Sequence, residues 1–201
     1  MNLVSTCQMA LLVTALLGAT ACSSDSDVDP PDGAGTTDGG CDVSVPTCPG
    51  AVALDWSATD FQPKSARFNQ AYGLEAFRGK TVLVGYLSAW CPYCRAQAGL
   101  LEKLKGELAA EGATDIEILV VNSEDAAGDQ ANFVAVTSFP LLQDTATTLV
   151  FRKQRTQKDD VAIYDREGKL LQFFGPGTAR DLQRPEVYDA MKAALKAAAS
   201  R

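Results

Sequence analysis

Two apolar runs and the amphipathic run between them decide most of what this chain can fold into. The first, "KTVLVGYLSAW" from Lys80 to Trp90, is rich in Val, Leu and Tyr and has no turn residue except Gly85, the composition of one buried strand. In the following "YCRAQAGLLEKLKGELAAEG", Ala98, Leu101, Leu104 and Leu108 recur at spacings of three and four, which predicts an amphipathic helix closed by Gly112. The third run, "IEILVVN" from Ile116 to Asn122, is a second buried strand. Strand, helix, strand over so short a span implies parallel strands and a right-handed crossover. At the seam between the first strand and its helix lie Cys91 and Cys94, with Pro92 suited to a helix's first turn.

The remaining elements extend this unit. "NFVAV", beginning at Asn132, reads as helical, and "FPLLQD", Phe139 to Asp144, as a short strand at a sheet edge. "VAIYDREGKLLQFF", Val161 to Phe174, places two apolar runs around "REG" and predicts a β-hairpin. "RPEVYDAMKAALKAAA" ends the chain as an amphipathic helix with Val187, Met191 and Leu195 on one face. The expected fold class is α/β over residues 51–201, a central mixed β-sheet flanked by helices.

Ahead of that domain the composition changes twice. Residues 1–21 form a short apolar run ending in small residues, placed where export signals sit and lacking a basic start. "GATAC" resembles the bacterial lipobox, with Ala19 where leucine is usual, so Cys22 is the expected lipidation site and the membrane an expected partner through that anchor. Simple secretion is the alternative, because Ala19-Thr20-Ala21 also fits a signal-cleavage pattern. Residues 22–50 read as a tether: "SSDSDVDPPDGAGTTDGG" has nothing larger than valine to bury and cannot offset its ordering entropy. Its five aspartates carry most of the formal charge of −7, leaving the rest nearly neutral, with no footprint for nucleic acid.

The cysteines sort by position. Cys7 leaves with the leader, Cys22 is the candidate anchor, and Cys41 and Cys48 flank a short loop at the tether's end, where a local disulfide is the expectation in an oxidising compartment. Cys91 and Cys94 differ, because a helix N-terminus turns unpaired amide donors and positive potential toward the first sulfur and favours its thiolate. Cys94, one turn on, lies deeper and within bridging reach, the place of a resolving thiol. Arg95 either adds positive potential or is simply solvated, and Trp90 and Tyr93 are either core aromatics or, for Trp90, a shield over the sulfur. A structural bridge or a zinc half-site are the competing readings of the pair. The chain has no histidine, so a zinc clamp would need Cys41 and Cys48, and no metal site or cofactor is expected.

"WCPYC" and its flanks resemble the thioredoxin superfamily. Its Pro-Tyr dipeptide is that of dithiol glutaredoxins, and the lead-in "GKTVLVGYLSAWCPYC" looks like the TlpA-type envelope thioredoxins. Closer still, "EGATDIEILVVN", "KDDVAIYDREGKLLQFF" and "PEVYDAMKAALK" resemble the N-terminal domain of selenoprotein P, over roughly Trp56 to Ala198. The resemblance implies a thioredoxin-like fold and a redox-active pair in which Cys91 takes the selenocysteine position and Cys94 its partner. The histidine-rich remainder of that family has no counterpart, so selenium transport is not implied.

Two departures from ordinary thioredoxins bear on mechanism. The buried acid those proteins carry six residues before the first cysteine is here Gly85. The cis-proline that precedes the hairpin falls at or next to Asp159, and Pro140 lies too early to replace it. Lys158, Asp159 and Asp160 are therefore expected to wall the side facing Cys91, with a carboxylate as proton acceptor for Cys94; solvated charges at a strand entry are the alternative.

The expected activity is thiol-disulfide oxidoreduction with protein or small-molecule thiols and disulfides as partners, in a bacterial cell envelope. Peroxidase action on small or lipid hydroperoxides is the alternative, against which Ser88 stands where peroxiredoxins have threonine. A metal-binding or redox-inert binding module comes second, weakened by the missing histidines.

Overall fold

Strand β3 (Thr81–Leu87) is buried along its whole length and has a strand on either side, so its residues alternate between two apolar cores with no solvent face. A computed structural model of the chain describes residues 40–177 and 180–201; the leader, Cys22 and the acidic segment to residue 39 lie outside the described residues. Helix α1 (Pro92–Ala110) carries the chain from β3 to the parallel strand β4 (Ile116–Asn122), in register from Thr81↔Ile116 to Leu87↔Asn122. Gly112, at φ +80°, ends the helical run where a left-handed residue is needed.

After β4 the short helix α2 (Ala131–Val134) leads to β5 (Leu141–Gln143), and α3 (Val150–Gln154) leads to the antiparallel hairpin β6 (Asp160–Tyr164) and β7 (Leu170–Phe174). The terminal helix α4 (Pro185–Ala199) closes the domain. Two small strands precede all of these, β1 (Ala58–Asp60) and β2 (Ala71–Tyr72), giving the seven-stranded order β2-β1-β5-β4-β3-β6-β7. The mixed sheet flanked by helices is the thioredoxin-like arrangement expected from the sequence. One placement differs: β5 is an interior strand, because β1 pairs antiparallel with it through Thr59↔Gln143 and covers the edge.

On one face of the sheet, Leu83 and Leu87 pack with Leu101, Leu104, Leu108, Met191 and Leu195 of α1 and α4. On the other, Val82, Val84 and Tyr86 meet Trp56, Phe77, Val121, Val150 and Tyr164. Each fully buried leucine contributes on the order of 2 kcal/mol by removal from water, so these two layers dominate the stability. Lys192 of α4 bridges Glu107 and Glu111 of α1 at 2.8 and 2.6 Å, and Lys192 and Lys196 together hold the Glu111 carboxyl down at about 2.

The folded chain reaches back past residue 51. Cys41 and Cys48 are bonded to each other across a run of turns, Gly50 N donates to Leu170 O at 2.7 Å, and Val52 bridges Lys169. This loop sits at the start of β7, the end of the sheet away from the first turn of α1. No helix among the described residues is long and apolar enough to cross a membrane.

Candidate active site

Cys91 is the residue that caps α1. Its backbone is extended, φ −86° and ψ 120°, and its sulfur accepts from the Cys94 amide at 3.4 Å, meeting one of the helix's unpaired N–H groups. Pro92 occupies the first helical position, where its missing N–H costs nothing. The loop entering this turn is fixed from outside the motif: Ala89 N donates to Asn122 Oδ1 at 2.9 Å, and Asn132 Nδ2 donates to Ala89 O at 3.0 Å. Both cysteines are free thiols, Cys91 at 7% exposure and Cys94 fully buried, the depth order expected of attacking and resolving sulfurs.

The turn before β6 supplies the wall opposite. Lys158 Nζ lies 3.7 Å from Cys91 Sγ and pairs with the Asp159 carboxylate, whose Oδ1 accepts from Cys94 Sγ at 2.9 Å. No proline faces the thiols there. Asp159 holds a left-handed backbone, φ +76°, with its amide on Tyr86 O at 2.8 Å. Asp160 turns the other way. Its carboxylate is buried against Arg180 Nη1 at 2.5 Å and the Gln157 amide at 2.7 Å, and bonds neither sulfur. The three-residue wall is thus corrected to Lys158 and Asp159.

These neighbours pull the two thiols apart. Burial raises Cys91, but the hydrogen bonds from Cys94 and the Lys158 ammonium outweigh it and leave Cys91 below the ordinary cysteine range. Burial also raises Cys94, and there the Asp159 carboxylate adds to it, so Cys94 stays firmly protonated. One sulfur is poised as a nucleophile and the other as a held thiol with an acceptor in contact.

The space beneath the pair is closed. A Cβ on Gly85 would come within 3.2 Å of Val120 Cγ2 and 3.4 Å of Leu101 Cδ1, so this packing has no room for a buried acid at that position. The acceptor has to come from the β6 side, where Asp159 stands.

Other residues singled out in the sequence lie less centrally. Trp90 is not a core aromatic: it is 45% exposed, with its Nε1 donating to Asp125 Oδ2 at 3.1 Å. Tyr93 is half-buried, its phenol pushed up by burial and by Asp181. The Arg95 side chain makes no hydrogen bond or ion pair among the described residues, so the cation beside Cys91 is Lys158 instead. Ser88 Oγ bonds Ser123 Oγ at 2.6 Å and so turns to β4's end, not to the Cys91 sulfur. The Cys41–Cys48 pair is at the other end of the sheet and is not brought to this site. The two sulfurs and the Asp159 oxygen lie within 4.8 Å of one another, but the carboxylate's cation is the Lys158 ammonium and we assign no metal ligands. Asn122, Asn132 and Arg180 had no local signal in the sequence, since each acts on a segment distant along the chain.

Comparison with known proteins agrees with this fold. The chain is 26% identical over 145 residues to selenoprotein Pa of Danio rerio, an alignment covering 69% of this chain and 36% of the relative, so it spans about a third of that protein. Among solved structures, a thiol:disulfide interchange protein from a Bacteroides species superposes with a TM-score of 0.57 at 18% identity, covering 75% of this chain and 92% of its own. The thioredoxin domain of a thiol-disulfide oxidoreductase from Bacteroides vulgatus gives 0.56 at 18% identity, with coverage of 74% and 98%. The Redoxin family model matches residues 55–190, the whole sheet together with the CxxC turn. The chain belongs to the Redoxin family.

Proposed function

We propose that this protein is a thiol-disulfide oxidoreductase working through Cys91 and Cys94. The observation that carries the reading is the split environment of the two sulfurs: Lys158 at 3.7 Å from Cys91, and the Asp159 carboxylate at 2.9 Å from Cys94. In the reducing direction the Cys91 thiolate attacks one sulfur of a partner disulfide, forms the mixed disulfide and displaces the partner's other sulfur as a thiolate, which takes a proton from water. Cys94 then gives its proton to Asp159 and attacks the Cys91 sulfur. The Cys91–Cys94 disulfide closes, the second partner sulfur leaves as a thiolate that takes the proton from Asp159, and two electrons have passed to the partner. The same steps in reverse oxidise a partner dithiol. Trp90 and Pro92, exposed on either side of Cys91, offer surface for the partner's chain, and Tyr93 and Arg95 flank it.

The same reading includes export and attachment. The leader over residues 1–21, the lipobox-like "GATAC" ending at Cys22 and the acidic segment that follows support a lipid-anchored protein of the bacterial envelope, with soluble secretion as the alternative. Partners are then envelope thiols and disulfides.

The test is turnover of a model disulfide with a Cys94→Ser trap. The wild type should cycle, and the variant should stop at a covalent adduct on Cys91, seen as a mass increase that dithiothreitol removes. A pair with a potential below about −300 mV, the range of structural bridges, and no adduct would refute the assignment.

A further inference from the structure

Arg180 lies on the segment between β7 and α4, far along the chain from either cysteine, yet it reaches the turn that faces them. Its Nη1 meets Asp160 Oδ1 at 2.5 Å, and the Asp160 side chain is only 2% exposed. The other oxygen of that carboxylate accepts from Gln157 N at 2.7 Å, while Asp160 N donates to Gln157 O at 3.2 Å. These two bonds close a turn whose two middle residues are Lys158 and Asp159. Asp159 sits at φ +76°, a left-handed conformation that aspartate enters more readily than most residues and that the two bonds hold in place.

We propose that Arg180 is a positioning residue: its buried ion pair with Asp160 holds the Gln157–Asp160 turn in the shape that presents Lys158 to Cys91 and Asp159 to Cys94. A carboxylate this deep keeps its charge only with a partner. Burial already raises Asp160, against the pull of the Gln157 amide and Arg180. Without the guanidinium the carboxyl takes up a proton, accepts more weakly from Gln157 N, and frees the turn to relax its left-handed residue. Lys158 and Asp159 then lose their fixed distances to the sulfurs.

The charged and titratable groups around Cys91 define how this is read out. Cys94 and Tyr93 come from α1, Lys158 and Asp159 from the turn, and Arg180 with Asp181, which face Tyr93, from the segment before α4. A plain field effect and a positioning effect differ in sign. Asp160→Asn removes a negative charge, so field alone would lower the pH at which the Cys91 thiolate forms; Arg180→Gln removes a positive charge and would raise it. Positioning requires that both raise it, because each breaks the same clasp and lets the more exposed Lys158 swing away from Cys91, while Asp159, 12% exposed and tied through its amide to Tyr86 O, moves less.

The experiment is the pH titration of the Cys91 thiolate by alkylation rate in the reduced full-length protein. It compares the wild type, Asp160→Asn, Arg180→Gln and the double variant, in which both charges go and the buried site stays electrically balanced. Each single variant and the double variant should titrate about one unit higher, so that alkylation below the midpoint slows about tenfold. Adding Arg180→Gln to Lys158→Gln should change nothing further. Shifts of opposite sign in the single variants, or a double variant that overlays the wild type, would overturn the inference. Should a single variant fail to fold, the balanced double variant and its Lys158→Gln comparison decide alone. The inference rests on the oxidoreductase reading only for its purpose, since alkylation needs no turnover: loss of that reading would appear as an inactive wild type with these shifts intact.

Discussion

The molecule carries two cysteine pairs, one at each end of the same sheet, and their surroundings differ more than their chemistry. Cys41 and Cys48 lie in a run of turns before β1, pinned to the start of β7 by the Gly50–Leu170 hydrogen bond, and no charged side chain bonds either sulfur among the described residues. Cys91 and Cys94 lie on the first turn of a 19-residue helix, with an ammonium and a carboxylate in contact. A disulfide at the first place closes a short loop on itself, and backbone hydrogen bonds after it hold that loop to an edge strand. At the second, the thiolate and the thiol each have a neighbour that favours them, which is what exchange chemistry needs and a staple does not.

The largest effect that could break this contrast is on turnover. Cys91→Ser should reduce disulfide exchange to background, whereas the paired Cys41→Ser/Cys48→Ser variant should stay within about twofold of wild type, since its sulfurs make no part of the reacting geometry. A loss of activity in the paired variant, in protein still folded by circular dichroism, would make the remote bridge a redox partner of the Cys91–Cys94 pair.

Next in size are the two wall residues, which should act in opposite directions on Cys91. Lys158 lowers that thiol and Asp159 raises it. Lys158→Gln should therefore move the alkaline rise of the attack rate about one unit upward, while Asp159→Asn should move it downward. Asp159→Asn should also slow resolution by Cys94, so that mixed disulfide accumulates in rapid-quench samples. Equal pH profiles for all three proteins would mean that these charges are solvated and idle.

The smallest effect belongs to the remote bridge. Its cysteines are seven positions apart, and closing so short a loop stabilises by about 2.4 kcal/mol through the unfolded chain. The paired serine variant should lose that much in urea unfolding with an unchanged midpoint for Cys91 titration.

Much of this was legible in the chain. The strands at β3 and β4, the helix between them, the hairpin and α4 all followed from runs long enough for periodicity to declare itself, and the depth order of Cys91 and Cys94 followed from one helical turn. The β1–β2 pair did not, because strands of three and two residues carry no readable alternation, and without them β5 looked like an edge. Asp159 was found by counting back from "VAIYD". Asp160 was placed on the wrong side because counting gives position along the chain and not the direction in which a side chain points. Arg180 gave no signal at all: its contact spans 20 positions and a stretch of loop, and an arginine there reads like any surface charge.

The left-handed backbone of Asp159 has an evolutionary corollary. Proline is confined to φ near −65°, so it cannot enter this position by a single substitution; the whole Gln157–Asp160 turn would have to invert first. Glycine and asparagine are the replacements the conformation admits, and neither brings back both the charge and the ring. Single substitution at residue 159 within this turn is therefore confined to an amide or glycine, each of which gives up the carboxylate beside Cys94.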